Sequence, residues 1–200
     1  MSSAPALALI GLGNPGPDYA RTRHNAGFWF VERVAAAAGA SFRVESRFFG
    51  ELARGRLAGQ ELLLLKPATF MNRSGQAVQA LAQFYKLAPD QLLVAHDELD
   101  LPAGELRLKL GGGHGGHNGL RDIHKPLGEG YRRLRIGIGH PGDKTLVLGY
   151  VLGRPSAEQE AAIHAGLDRA VSAVETWLRQ GWDRAVQQLH RPPAAPEPPR

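Results

Sequence analysis

Two periods of apolar and polar positions alternate along this chain, and the points where one gives way to the other mark its elements. Ala6 to Leu12 is an unbroken apolar run that ends in Gly11-Leu-Gly-Asn-Pro-Gly-Pro. A short run closed by such turn residues predicts a strand buried on both faces. From Ala26 to Ala38 the period changes to three and four, with Phe28, Val31, Val34 and Ala35 on one stripe and Gly39 placed to end a helix. Glu61 to Lys66 holds four consecutive leucines and predicts a second buried strand, closed by Pro67. Ser74 is positioned to cap a helix reaching Lys86, with Val78, Leu81, Ala82 and Tyr85 facing inward. Gln91 to Ala95 reads as a strand that runs into His96-Asp97-Glu98. Leu106 and Leu108 alternate with Arg107 and Lys109, as do Leu134, Ile136 and Ile138 with Arg135 and glycines. Period two predicts half-exposed strands there. A long helix is expected from Ser156 to Gln180 on Ile163, Leu167, Ala170, Val174 and Trp177, and a second from Trp182 to Leu189.

Strands alternating with helices predict a single three-layer α/β domain: a mixed, mainly parallel central sheet with helices on both faces. The domain is expected over 6–190. Residues 1–5 are read as a frayed end, and 191–200, rich in proline, as a flexible tail. No internal repeat and no linker divides the chain. Two hundred residues suffice for a full core, and there is no cysteine, so thiolate nucleophiles, disulfides and cysteine-based metal sites are excluded. No apolar run reaches the roughly 20 residues of a membrane span, and no charged segment precedes an apolar one at the start. The cytoplasm is the expected compartment.

Lys and Arg number 24 against 19 Asp and Glu, a net charge of +5. Arg107, Lys109, Arg121, Lys125, Arg132, Arg133 and Arg135 cluster, opposed within that stretch only by Asp122 and Glu129. Such a cluster fits either a polyanion partner or a solvated face.

Several polar residues stand where strands end. Gly11-x-Gly13-x-x-Gly16 fits the dinucleotide fingerprint, but prolines flank its third glycine and the helix begins about ten residues late. Nor does an acidic residue end a strand about 20 positions on, where a ribose partner belongs. His24-Asn25 lies between that turn and a helix; either residue could merely cap it. Asn72 follows a strand as Asn14 does. Phe70 and Met71 beside it suit a core as well as a cleft. Asp97 ends another strand, and Gly111 to Gly119 is glycine interrupted only by His114, His117 and Asn118. That stretch is no ordinary core; it exposes backbone and polar side chains. A histidine with an orienting aspartate is the base half of a hydrolase. No serine stands in Gly-x-Ser-x-Gly, so water activated by His24 is the expected nucleophile, with asparagines positioning carbonyls and donating to oxyanion charge. Metal ligation by His96, Asp97, His114 and His117 is the rival use of these residues, without a fixed zinc spacing.

In order, Gly-Leu-Gly-Asn-Pro-Gly-Pro-Asp-Tyr-Ala-Arg-Thr-Arg-His-Asn-Ala-Gly, Thr-Phe-Met-Asn-Arg-Ser-Gly, His-Asp-Glu-Leu-Asp-Leu-Pro, Gly-Gly-Gly-His-Gly-Gly-His-Asn-Gly-Leu and Arg-Ile-Gly-Ile-Gly-His-Pro follow one another. This series resembles the bacterial peptidyl-tRNA hydrolase family from about residue 7 to 190. The resemblance implies an esterase that cuts the bond between peptide and tRNA in peptidyl-tRNAs that leave the ribosome prematurely. It implies His24 as the catalytic base, Asp97 as the carboxylate that orients it, and Asn14 as the residue that tells N-blocked peptidyl esters from free aminoacyl esters. Tyr19, Phe70, Asn72 and Asn118 match substrate-contacting positions; Met71 and His117 line the same cleft. The family likeness further implies a monomer that needs neither metal nor cofactor, with peptidyl-tRNA as its nucleic-acid partner. The basic cluster from Arg107 to Arg135 is expected to grip the tRNA backbone.

Overall fold

Leucines 62–65 are buried on both faces of one strand, and the fold is arranged around that fact. The computed structural model describes residues 7–192. Seven strands form one sheet: β1 (Leu7–Gly11), β2 (Arg43–Glu45), β3 (Gly50–Leu57), β4 (Gln60–Pro67), β5 (Leu92–Glu98), β6 (Leu106–Leu110) and β7 (Arg132–Gly137). Their order is β2-β3-β4-β1-β5-β7-β6. The four central strands β4, β1, β5 and β7 run parallel, while β2, β3 and β6 add antiparallel edges. A parallel centre needs cover on both faces. Leu62, Leu64, Leu9 and Leu93 point into one core, under α1 (Ala26–Ala37) and, with further residues, α5 (Ala157–Gln180). Leu63, Leu65, Ala8, Ile10 and Val94 point into the other, under α2 (Ser74–Tyr85) and α3 (Asn118–Leu127). The remaining helices are the short α4 (Val147–Val151) and α6 (Trp182–His190).

The parallel order places the carboxyl ends of β4, β1 and β5 side by side. Asn72 follows β4, Asn14 follows β1 and Asp97 lies near the end of β5, so three of the polar residues share one rim. Helix α1 reaches the same rim because two glycines let it. A Cβ on Gly27 would lie 2.3 Å from the Ala95 carbonyl oxygen, and one on Gly11 would lie 2.2 Å from that of Gly27. The first turn of α1 therefore rests directly on β1 and β5. Within the fingerprint-like motif, Gly11 and Gly13 serve close packing, against Gly27 and the Phe28 ring. Only Gly16, at φ +101°, needs left-handed backbone.

The termini read as flexible lie largely outside the described residues. Two caps differ from expectation. Ser74 is the first residue of α2 rather than its cap, and its hydroxyl donates back to the Met71 carbonyl at 2.8 Å. Asn25 precedes α1 but makes no capping bond; its amide is engaged elsewhere. The helix expected from Ser156 begins one residue later, and Ser156 caps it, accepting from the Gln159 amide at 3.2 Å.

Candidate active site

Thr22 closes a turn onto Tyr19, and the 3-10 turn Arg23–Asn25 then leads into α1 and aims His24 across to β5. The His24 Nδ1 lies 3.0 and 2.9 Å from the two oxygens of Asp97. Asp97 is buried. A second imidazole meets the same carboxylate: His117 Nε2 is 2.8 Å from Asp97 Oδ1. The proton positions follow from the partners. His117 Nδ1 accepts from the Gly119 and Leu120 amides at 3.1 and 3.4 Å, capping α3, so its Nε2 carries the proton and donates to Asp97. His24 Nδ1 likewise donates to the carboxylate, which leaves a lone pair on Nε2. That nitrogen has no protein partner among the described residues.

These contacts set the charges. Burial would raise the Asp97 pKa, but attraction and hydrogen bonds from His24 and His117 hold it well below the usual carboxylate range. Burial would lower the His24 pKa; the Asp97 charge and hydrogen bond outweigh it, and the pKa is raised above the ordinary histidine value. His96 behaves in the opposite way. It is buried, its Nδ1 donates to the Asp97 carbonyl at 2.8 Å, and its Nε2 has no partner among the described residues. Burial, with the neighbouring His117, pushes its pKa down to about 3, so it stays neutral.

Asn14 is held by three bonds. Its backbone N–H donates to Asn25 Oδ1 at 2.9 Å, and its carbonyl accepts from Asn25 Nδ2 at 3.0 Å. Its own Oδ1 accepts from the Met71 N–H at 2.8 Å. The amide orientation is thus fixed by a group that can only donate, and Asn14 Nδ2 is left with no protein acceptor among the described residues. Asn25 is the residue that sequence reasoning missed: taken for a cap, it is the template for Asn14. The pairing of two turn asparagines eleven residues apart left no periodic signal.

His24, Asp97, His117 and Asn118 line one cavity of about 490 Å³, together with His114, Lys144 and the apolar Val147, Leu148 and Val151. Asn118 is exposed, its Oδ1 3.3 Å from Arg121. Tyr19 and Phe70 meet edge to face at 6.3 Å, and Phe70 is 57 % exposed, an aromatic surface beyond Asn14. Met71 is buried against Gly119, whose Cβ would lie 2.7 Å from its sulfur. Asn72 is exposed beside Met71 and forms no hydrogen bond to the other site residues among the described residues.

The metal-ligand set weighed from sequence does not converge. The side chains that do are His24, Asp97 and His117, not His96 or His114. The facing nitrogens and oxygens already form hydrogen bonds of 2.8–3.0 Å.

Comparison with known proteins places the chain in a family. The family model described as peptidyl-tRNA hydrolase matches residues 8–197. The chain belongs to the peptidyl-tRNA hydrolase family. It is 56 % identical over 183 residues to a peptidyl-tRNA hydrolase of Neisseria gonorrhoeae, covering 91 % of this chain and 95 % of that one. A peptidyl-tRNA hydrolase of Edwardsiella ictaluri is 55 % identical over 184 residues, 91 % of this chain and 94 % of its own. The crystal structure of peptidyl-tRNA hydrolase from Acinetobacter baumannii superposes with a TM-score of 0.90 at 47 % identity, over 94 % of this chain and 97 % of that one. A peptidyl-tRNA hydrolase crystallised with N-propanol gives 0.92 at 46 % identity, over 96 % and 100 %. Purine nucleoside phosphorylase from Toxoplasma gondii, at TM-score 0.55 and 10 % identity, shares the fold alone.

The basic cluster needs correction. Arg133 is 2 % exposed and points inward. Arg135 pairs with Glu98 at 2.7 Å, Arg107 with Glu105 at 2.6 Å, and Arg132 bonds the Asp90 carbonyl while facing Trp177 and Trp182. Lys125 pairs with Asp122 at 3.1 Å. The partners Glu98, Glu105 and Asp90 all precede Arg107 in sequence, so they do not enter the charge balance of the 107–135 stretch. Lys109 is exposed and has no carboxylate partner among the described residues.

Proposed function

We propose that this protein hydrolyses the ester bond between peptide and tRNA in peptidyl-tRNA, with water as the nucleophile and His24 as the base. The observation that carries this reading is the His24–Asp97 pair, with Nε2 of the imidazole unpartnered at the cavity wall. His24 Nε2 takes a proton from water as the oxygen attacks the ester carbonyl. The tetrahedral intermediate collapses, and the same proton passes to the departing ribose oxygen. The products are a peptide carboxylate and a free tRNA end. Asp97 stays ionised, holds the imidazole in the tautomer that exposes Nε2, and stabilises the imidazolium that forms.

Asn14 Nδ2 supplies a fixed donor for a substrate carbonyl, and its preorganisation by Met71 and Asn25 means no reorganisation during reaction. Tyr19, Phe70, Asn72 and Asn118 contact the substrate in this reading, and Met71 and His117 line the same cleft. Peptide side chains vary between substrates, so backbone recognition by asparagine amides is the suitable chemistry. An activated ester needs less assistance than an amide, so one base and one donor site are sufficient. The protein acts as a monomeric domain spanning 6–190 in the cytoplasm, without metal.

His24→Asn keeps a donor toward Asp97 but removes the base. Cleavage of N-acetyl-aminoacyl-tRNA by this variant is expected to fall on the order of 10²–10⁴-fold. Circular dichroism and tRNA affinity should stay at parent values. Near-normal turnover would remove His24 from the mechanism.

A further inference from the structure

Between β6 and α3 the chain runs through Gly111, Gly112, Gly113, His114, Gly115 and Gly116, and its second half, from His114 on, lines the cavity. It has little means of holding itself in place. Nothing lies within 4 Å of where side chains on Gly113, Gly115 and Gly116 would be, and four of its glycines have φ between +56° and +105°. Glycine loses more conformational freedom on ordering than any other residue. The ends are tied: Gly111 N–H donates to the Tyr131 carbonyl at 3.0 Å, and His117 N–H to that of His114 at 2.9 Å. Within the loop Gly116 N–H donates to His114 Nδ1 at 3.0 Å, and the Gly112 and Gly113 carbonyls are held by a side chain from outside it. Arg133, on β7, donates to the Gly113 carbonyl at 2.6 Å through Nη1 and to the Gly112 carbonyl through Nη2. The same Nη2 donates to His124 Nε2 at 3.1 Å, and the guanidinium lies 4.9 Å from the Tyr131 ring centre.

We propose that Arg133 is a positioning residue for ester hydrolysis: it clamps the glycine loop so that His117 and Asn118, which follow it, face Asp97 and the cavity. The planar guanidinium suits this use, because one rigid group bonds two successive carbonyls and a third acceptor on α3. Its burial removes it from contact with phosphates. The inference rests on the His24–Asp97 reading, because the loop matters to turnover only through the His117 hydrogen bond to that carboxylate and the shape of the wall.

Arg133→Met removes the donors and keeps the apolar stem; Arg133→Lys keeps the charge and one donating group. Each is assayed with N-acetyl-aminoacyl-tRNA for kcat and KM separately, for the salt dependence of tRNA binding, and by NMR for amide exchange over 111–116 and the His117 Nε2–H signal. For Arg133→Met the expected result is faster exchange in the loop, loss of the His117 signal, and a fall in kcat on the order of 10²-fold, as for a small misplacement of catalytic geometry. The salt slope is expected to be unchanged, and Arg133→Lys should recover part of kcat. If Arg133→Met does not fold, Arg133→Lys decides by the same readouts, with a partial loss of kcat and partial loop opening expected. An ordered loop with an intact His117 signal would overturn the proposal, as would a reduced salt slope at unchanged kcat. An opened loop and lost His117 signal with unchanged kcat would overturn it as well, because the loop would then not matter to hydrolysis; failure of the His24–Asp97 reading is distinguished by turnover retained in His24→Asn.

Discussion

At the residue scale, the site is a matter of which atom each polar group leaves free. Asp97 accepts from two imidazoles, and each imidazole is thereby committed to one tautomer. His117 is saturated on both nitrogens, whereas His24 keeps one lone pair. Three histidines within one shell therefore differ in character: His24 is held more basic than usual, His96 is held neutral, and His117 is a donor. Asn14, which lines a second cavity rather than that of His24, has its oxygen consumed by the Met71 amide and its nitrogen without a protein acceptor among the described residues. Asn14→Asp keeps the acceptor for Met71 and exchanges the free donor for a carboxylate oxygen. Such a change should lower kcat/KM for N-acetyl-aminoacyl-tRNA by about 10²–10³-fold, the range found for loss of one fixed donor. Steady-state kinetics alongside urea unfolding checks this; equal activity in a folded variant would remove Asn14 from carbonyl recognition.

At the scale of elements, close approach of backbones brings these residues together. Gly27 has no room for a methyl group against Ala95 and Leu12, so α1 is seated on β1 and β5 as closely as a helix can be. Gly27→Ala should cost about 1–3 kcal/mol by overpacking and lower activity as His24 shifts from Asp97. Gly16→Ala meets open space and bears only the strain of its positive φ, about 1–2 kcal/mol. Denaturant unfolding ranks the two, and equal stability of Gly27→Ala and parent would contradict the close-approach account. Much of this level was legible in the sequence. The leucine run, the α1 stripe and the α5 stripe were placed within a few residues of β4, α1 and α5. Strand β3 was not, because Glu51, Arg54 and Arg56 break its alternation and its burial comes from pairing with β4 along its whole length. Helix α3 was hidden by Asn118-Gly119 at its start and Pro126 near its end, and it begins there because His117 caps it. The site residues were legible as types at strand ends. Their partners, Asn25 for Asn14 and Arg133 for the glycine loop, were not, since they depend on contacts between elements distant in sequence.

For the molecule as a whole, a net charge of +5 does not translate into a uniform basic face. Arg107, Arg132, Arg133 and Arg135 are each engaged by acidic or carbonyl partners, whereas Lys109 is exposed at the β6 edge. Lys109→Ala should flatten the dependence of log affinity for tRNA on log salt by about 0.7–0.9, the contribution of one phosphate contact. Filter binding across a salt series measures this, and an unchanged slope would place the tRNA elsewhere. The sheet brings the proposed catalytic pair, His24 from the turn before α1 and Asp97 from β5, onto one rim, and the proposed chemistry requires the coupling of those two side chains. The pH dependence of kcat/KM in the parent and in Asp97→Asn tests it most directly. Turnover needs the neutral imidazole, so the rate falls as pH drops through the His24 pKa. In the parent that midpoint is expected above 6.5, because the Asp97 carboxylate outweighs burial. In Asp97→Asn burial acts unopposed, so the midpoint should move below the parent's while the plateau drops; a midpoint that stays where it was would contradict the account.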